Sequence, residues 1–171
     1  MKALVYTAPR TLELASVPEP EPDGSADEVL VRVDSVGICG SDMHAWLGHD
    51  ARRPAPLILG HEAAGTVVGG DEDGRRVTVN PLVSCGRCRW CLGDRQNLCP
   101  ERQIISMPPR EGAFAQYVSI PWSNLVPVPG DVSLPVAALA EPLAVGWHTA
   151  RLALDMLHEQ SDRRAMVIGG G

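Results

Sequence analysis

Apolar and polar positions alternate with a period of two through most of the first 130 residues, which predicts a chain built mainly of short strands. Residues 2–7 and 11–17 read as two strands joined by a Pro9-Arg10 turn, and 18–27, rich in Pro, Glu and Asp, read as a loop. The clearest alternation runs over 28–36, with Val29, Val31 and Val33 on one face and Leu30, Arg32 and Asp34 on the other. A short helix or turn is expected over 40–48, and Leu57-Ile58-Leu59 is a strand-like apolar run. Residues 63–68 and 76–80 read as strands around the polar loop 69–74, and the strand pattern resumes over 114–120 and 124–128. Between them, 85–99 is punctuated by cysteine and glycine and predicts a convoluted loop with little regular structure.

The period changes after Gly130. Ser133 and Pro135 read as one helix start, and Glu141-Pro142 as a second with proline at the first helical position. Residues 143–157 run at helical period, and 164–168 form an apolar strand entering Gly169-Gly170-Gly171. Short strands, then helices, then one buried-type strand describe a mainly β chain with short helices: a β-barrel-like domain joined to the opening of something else.

Composition narrows the class. Of 171 residues, 17 are Gly and 15 are Pro. That share is above the roughly 12% average but below the roughly 25–30% of low-complexity chains, and it has no period. Aromatics make up only 4%, so the core must be Val, Leu, Ile and Ala. The net charge of −6, with basic residues scattered rather than striped, argues against nucleic-acid binding. No apolar run approaches the roughly 18 residues of a membrane span, and the first ten residues lack a signal-peptide core. The expectation is a cytoplasmic chain without a membrane partner, its five cysteines reduced and free to bind metal.

Cys85, Cys88, Cys91 and Cys99 have the spacing C-x2-C-x2-C-x7-C, which suits all-thiolate tetrahedral zinc. Four thiolates leave no open position, so such a site is structural; a disulfide pair, a redox C-x-x-C and an iron–sulfur cluster are the alternatives. A zinc-ribbon nucleic-acid binder shares the spacing but conflicts with the acidic charge. Cys39 alone would read as a small core residue. With His61-Glu62 directly after the apolar run, it completes a mixed S/N/O donor set typical of an open catalytic zinc.

Together, Cys39-Gly40-Ser41-Asp42-x-His44, Gly60-His61-Glu62 and the four-cysteine loop resemble the zinc-dependent medium-chain alcohol and polyol dehydrogenases. Within that family the sorbitol, threonine and galactitol-phosphate branch fits best. The resemblance covers essentially the whole chain; the related quinone reductases lack both zinc sites. It implies a GroES-like β-barrel catalytic domain over 1–130, connecting helices over 131–162, and the start of a truncated Rossmann dinucleotide-binding domain over 163–171. Cys39 and His61 then match catalytic zinc ligands, and Glu62 the acid that ligates directly or through water.

Glu141 falls where the ethanol-type branch has cysteine and the sorbitol and threonine types have Glu, implying a fourth or exchanging ligand. An acid favoured by a helix N-terminus is its other, compatible reading. Ser41 and His44 match the family's proton relay, in which a hydroxyl takes the alcohol's proton and an imidazole delivers it to solvent. Zinc lowers the alcohol's pKa, and hydride passes to NAD or NADP.

Gly169 and Gly171 resemble the opening of the cofactor's phosphate turn, though three glycines alone say little. Trp46 lies where polyol enzymes often have a pocket aromatic, and Ala45 stands where sorbitol-type enzymes often have Tyr, implying a different or roomier pocket. The 69–74 loop is shorter than the family's usual turn. His49 and His158 read as surface groups, and His148 as packing or capping within its helix. The expected activity is NAD(P)-linked oxidation of a polyol, sugar alcohol or other secondary alcohol by a homodimer or homotetramer. This chain is expected to be about half of such an enzyme and inactive alone. A non-catalytic, zinc-stabilised GroES-like binding module is the second reading.

Overall fold

A computed structural model describes residues 1–21, 27–156 and 166–168. The described residues form ten strands, β1 (Lys2–Ala8), β2 (Thr11–Ser16), β3 (Glu28–Gly37), β4 (Leu57–Ile58), β5 (Glu62–Val68), β6 (Arg76–Val79), β7 (Leu82–Val83), β8 (Gln103–Ile104), β9 (Tyr117–Pro121) and β10 (Leu125–Pro127). Four helices accompany them, α1 (Gly40–Trp46), α2 (Arg89–Leu92), α3 (Leu134–Ala137) and α4 (Ala140–Met156), with 3₁₀ turns at Gln96–Leu98 and Trp122–Asn124. The chain divides into two units, Met1–Glu141 and Pro142–Gly171.

In the first unit, described strands form sheets ordered β2-β1-β4, β10-β6-β5-β3-β9 and β7-β8, every pair antiparallel. The main core is aliphatic, as the scarcity of aromatics requires: Val31, Val67, Val77, Val79, Ile105, Val118 and Ile120 are all buried within it. A second cluster seats α1, with Ala45 against Tyr6, Leu57 and Leu59. A third seats α3 on β5 through Ala64, Ala137 and Ala138, small residues that let a helix and a strand approach closely.

The central strand β3 departs from the predicted alternation. Its register against β5 shifts between Val33 and Ser35, a bulge that leaves Asp34 as the extra residue. Both Val33 and Val36 consequently pack on the main core although they are an odd number of residues apart. The predicted strand 114–120 is split. Leu4 donates to the Phe114 carbonyl and Phe114 N–H to the Leu59 carbonyl, so this stretch serves the first sheet, and pairing with β3 begins only at Tyr117. Gln116 makes the crossing: its N–H donates to Lys2 and its carbonyl accepts from Val33.

The 85–99 segment is more regular than expected, because α2 and the Gln96–Leu98 turn lie within it. The short β7–β8 pair, Leu82 opposite Ile104, closes its base. Helix α4 begins at Ala140, two residues before the predicted first helical position, so Pro142 is its third residue; N–H groups in a first turn have no intrahelical acceptor, and a proline costs little there. Within the second unit, Leu143, Trp147, Leu152 and Met156 are exposed, as is His148. The expected strand at 164–168 is absent from its described part: Met166, Val167 and Ile168 are exposed without ladder partners, and an apolar run becomes a strand only where a neighbour supplies the hydrogen bonds. Residues 157, 158 and 169–171, and with them His158, Gly169 and Gly171, lie outside the described residues. No described helix is long and apolar enough to cross a membrane.

Candidate metal centres

Two clusters of donors lie in the first unit. Around Cys39, the end of β3 runs into the start of α1, and Cys39 is that helix's N-terminal cap. His61 and Glu62 arrive from the opposite side, where the chain leaves β4 and enters β5. A donor atom from each of Cys39, His61 and Glu62 lies within 4.8 Å of the others, and His61 and Glu62 are buried.

The residue that joins the two segments is Asp42, which the sequence reading did not single out. One carboxylate oxygen accepts the Cys39 N–H at 2.9 Å, and the other accepts the Gly60 N–H at 3.1 Å. The same carboxylate faces His61 Nδ1 at 3.7 Å. Burial raises the Asp42 pKa, but the facing His61 ring and the two backbone donors outweigh it, holding the carboxyl below its usual range. A sequence signal was present: an acid three residues after a helix cap fits the capping-box pattern.

Glycine makes room on the other side. Gly60 has φ +91° and sits beneath the Phe114 ring, where a Cβ would lie 2.6 Å from a ring carbon. Both the backbone conformation and the space exclude a side chain there.

The remaining predicted residues are placed as follows. Ser41 and His44 lie on α1 three residues apart, about one turn, so they share a face. Ser41 Oγ is buried without a hydrogen-bond partner, whereas His44 is exposed. Glu141 is outside the 4.8 Å group but close enough to interact with it. Burial lifts its carboxyl above the usual range; His61 opposes this, while Glu62 and Asp42 add to it. Ala45 is wholly buried among core side chains. Trp46 is half-buried and His49 exposed.

The second cluster is the four-cysteine lobe, whose donor atoms also fall within 4.8 Å of one another. All five cysteines of the chain are free thiols. Cys91 Sγ lies 3.9 Å from Cys85 Sγ and 3.5 Å from Cys88 Sγ. A tetrahedron with metal–sulfur bonds of about 2.3 Å has edges of about 3.8 Å, so the thiols already stand at the spacing zinc demands. The N–H groups of Arg87 and Cys88 draw the Cys85 thiol down to about 6, and burial pushes Cys91 up to about 11.

Both clusters fit a metal. The lobe offers four soft thiols and nothing else, a closed shell. The Cys39 cluster offers sulfur, nitrogen and oxygen, and its buried His61 Nδ1 has no hydrogen-bond partner among the described residues. A metal on the other ring nitrogen would fix the proton on Nδ1, facing the Asp42 carboxylate.

Comparison with known proteins gives one matching family model, the alcohol dehydrogenase GroES-like domain, over residues 25–130. Among curated relatives, the sorbitol dehydrogenase of Bacillus subtilis is 42% identical over 88% of this chain and 44% of its own length. Galactitol-1-phosphate dehydrogenase from Escherichia coli superposes with a TM-score of 0.81 at 31% identity, over 90% of this chain and 45% of that one. An E. coli alcohol dehydrogenase solved with NADH gives a TM-score of 0.80 at 31% identity, covering 90% and 46%. The chain spans about half the length of the curated relatives it matches.

Proposed function

The chain belongs to the alcohol dehydrogenase GroES-like domain family, and from that premise we propose that it is the catalytic half of a zinc-dependent, NAD(P)-linked dehydrogenase. Its substrate is a polyol, sugar alcohol or other secondary alcohol, oxidised to the ketone. The observation that carries this is the convergence of Cys39, His61 and Glu62 donor atoms within 4.8 Å, beside a separate all-thiol cluster. The division follows the sequence reading: catalytic domain 1–130, connecting helices 131–162, opening of a nucleotide domain from 163. The likeness to an enzyme solved with NADH supports the cofactor. The likeness to sorbitol and galactitol-1-phosphate dehydrogenases supports the substrate class.

In this reading Cys39, His61 and Glu62 hold the catalytic zinc, with Glu141 as the exchanging fourth group. Cys85, Cys88, Cys91 and Cys99 hold the structural ion. Bound zinc supplies Lewis-acid polarisation of the alcohol oxygen, and NAD(P) supplies the hydride acceptor. The chain's own residues move the proton. Ser41 Oγ, buried and without a hydrogen-bond partner among the described residues, would take the alcohol proton while passing its own hydroxyl proton on toward His44, which shares its face of α1. His44, exposed on that face, would release the proton to water. Asp42 orients the whole by holding Cys39 and Gly60 to one carboxylate.

The test is metal stoichiometry together with turnover. The purified chain is expected to hold two zinc ions by elemental analysis, and Cys39→Ser only one. A polypeptide uniting this chain with a dinucleotide-binding domain is expected to reduce NAD or NADP with members of a polyol panel, and to lose that activity to a chelator. A single zinc in the unmodified chain, or undiminished turnover in Cys39→Ser, refutes the reading and leaves a zinc-stabilised binding module.

A further inference from the structure

Gly37 is the last residue of β3 and stands directly opposite Glu62, the first residue of β5. Its φ lies outside the left-handed region, so the backbone there suits any residue. What the position lacks is space. A Cβ on residue 37 would come within 2.1 Å of Glu62 Oε2, 3.1 Å of its Cβ and 3.2 Å of its Cδ. The Glu62 carboxylate therefore lies in the volume that a side chain at 37 would fill, and Glu62 is only 6% exposed.

Two other crowded glycines, Gly65 and Gly112, behave differently. At Gly65 the nearest obstacle is the Arg32 carbonyl at 2.2 Å, and at Gly112 it is the Leu59 carbonyl at 2.3 Å. Backbone cannot yield there, so a side chain at either position costs the fold. At Gly37 the nearest atom is the far end of a rotatable side chain, and a carboxylate swings away before a paired strand does.

We propose that Gly37 is a positioning residue for the metal cluster, its missing side chain being the seat that holds the Glu62 carboxylate beside Cys39 and His61. The proposal rests on the metal reading of that cluster. It assigns Gly37 no contact with substrate; the residue acts only through Glu62. A methyl group at 37 displaces the third donor while the strand pairing and the four-cysteine lobe stay as they are.

Cobalt(II) titration of the metal-free chain, followed by its visible d–d and thiolate charge-transfer bands, tests this, with the four-cysteine lobe as internal reference. The unmodified chain is expected to bind two cobalt ions. Gly37→Ala is expected to bind cobalt at the Cys39 cluster about 10–100-fold more weakly, the range for loss of a group that orients a ligand, with shifted d–d bands and an unchanged lobe. In a Glu62→Ala background, adding Gly37→Ala should change neither affinity nor spectrum. Unaltered binding in Gly37→Ala, or an equal further loss in the double variant, overturns the proposal alone. If the unmodified chain binds cobalt only at the lobe, the metal reading fails and this proposal falls with it. Should Gly37→Ala not fold, recovery of folding in the Gly37→Ala/Glu62→Ala chain supports the contact, and failure to recover overturns it.

Discussion

Asp42 holds two separate pieces of backbone, the N–H groups of Cys39 and, 18 residues beyond Asp42 itself, Gly60, on its two oxygens. Replacing it with alanine leaves both donors facing a protein interior, and a stranded buried donor costs about 1–3 kcal/mol. Asp42→Ala is therefore expected to lower the urea-unfolding free energy of the metal-free chain by about 2 kcal/mol or more. Asp42→Asn, which keeps one acceptor oxygen, should lose less. Working without metal separates this framework role from any effect on affinity; equal stability of the two variants would contradict it. Cys39, His61 and Glu62 were legible in the sequence because sulfur, imidazole and carboxylate at those intervals have few other uses. Asp42 was overlooked because its partners are main-chain groups, one of them far along the chain. Gly37 and Gly60 were equally silent: a glycine announces neither the φ of +91° at Gly60 nor the carboxylate seated against Gly37.

Among the elements, the cysteine lobe has the least to hold it. From Arg89 to Leu98 only Cys91 is buried, Leu92 is 75% exposed, and the two helical turns are three or four residues long. Helices this short are not self-sustaining, and two-residue strands at the base add little, so the thiol cluster must order the lobe. Chelation of its metal, or Cys99→Ser, is expected to open residues 85–102 to trypsin at Arg87, Arg89, Arg95 and Arg102. Amide hydrogens in β3 and β5 should exchange as slowly as before. Protection of the lobe against trypsin without metal would show that packing, not coordination, orders it. The long strands were readable from periodicity, since their alternation runs over many residues, whereas 40–48 was read only as a short helix or turn. The bulge in β3 and the split of 114–120 were not, because each answers to a neighbouring strand rather than to the local pattern. Strands β7 and β8 are too short to have a period at all.

For the first unit as a whole, acid stability turns on a buried ion pair that no motif advertised. Arg53, 3% exposed, donates to Asp50 at 2.6 Å and to the Ser106 carbonyl at 2.9 Å, tying the segment after α1 to the chain 53 residues on. Arg52 binds the same carboxylate at 2.9 Å. The Arg52 hydrogen bond is the largest influence on Asp50; burial opposes it, Arg53 adds to it, and the carboxyl is held well below the usual range. A carboxylate with a depressed folded-state pKa binds fewer protons folded than unfolded. Its contribution is complete above the unfolded value of about 3.9 and drains away as pH falls toward the folded one. Asp50→Asn strands the buried Arg53 guanidinium, which should cost about 3 kcal/mol or more at pH 7. In the unmodified chain the same carboxylate is neutralised by acid, so the two proteins should converge on acidification. Urea midpoints at pH 7, 5 and 3 are expected to show a wide gap at the first two values and a narrower one at the third. A gap constant with pH would mean that shape alone, and not the charge on Asp50, holds the two segments together.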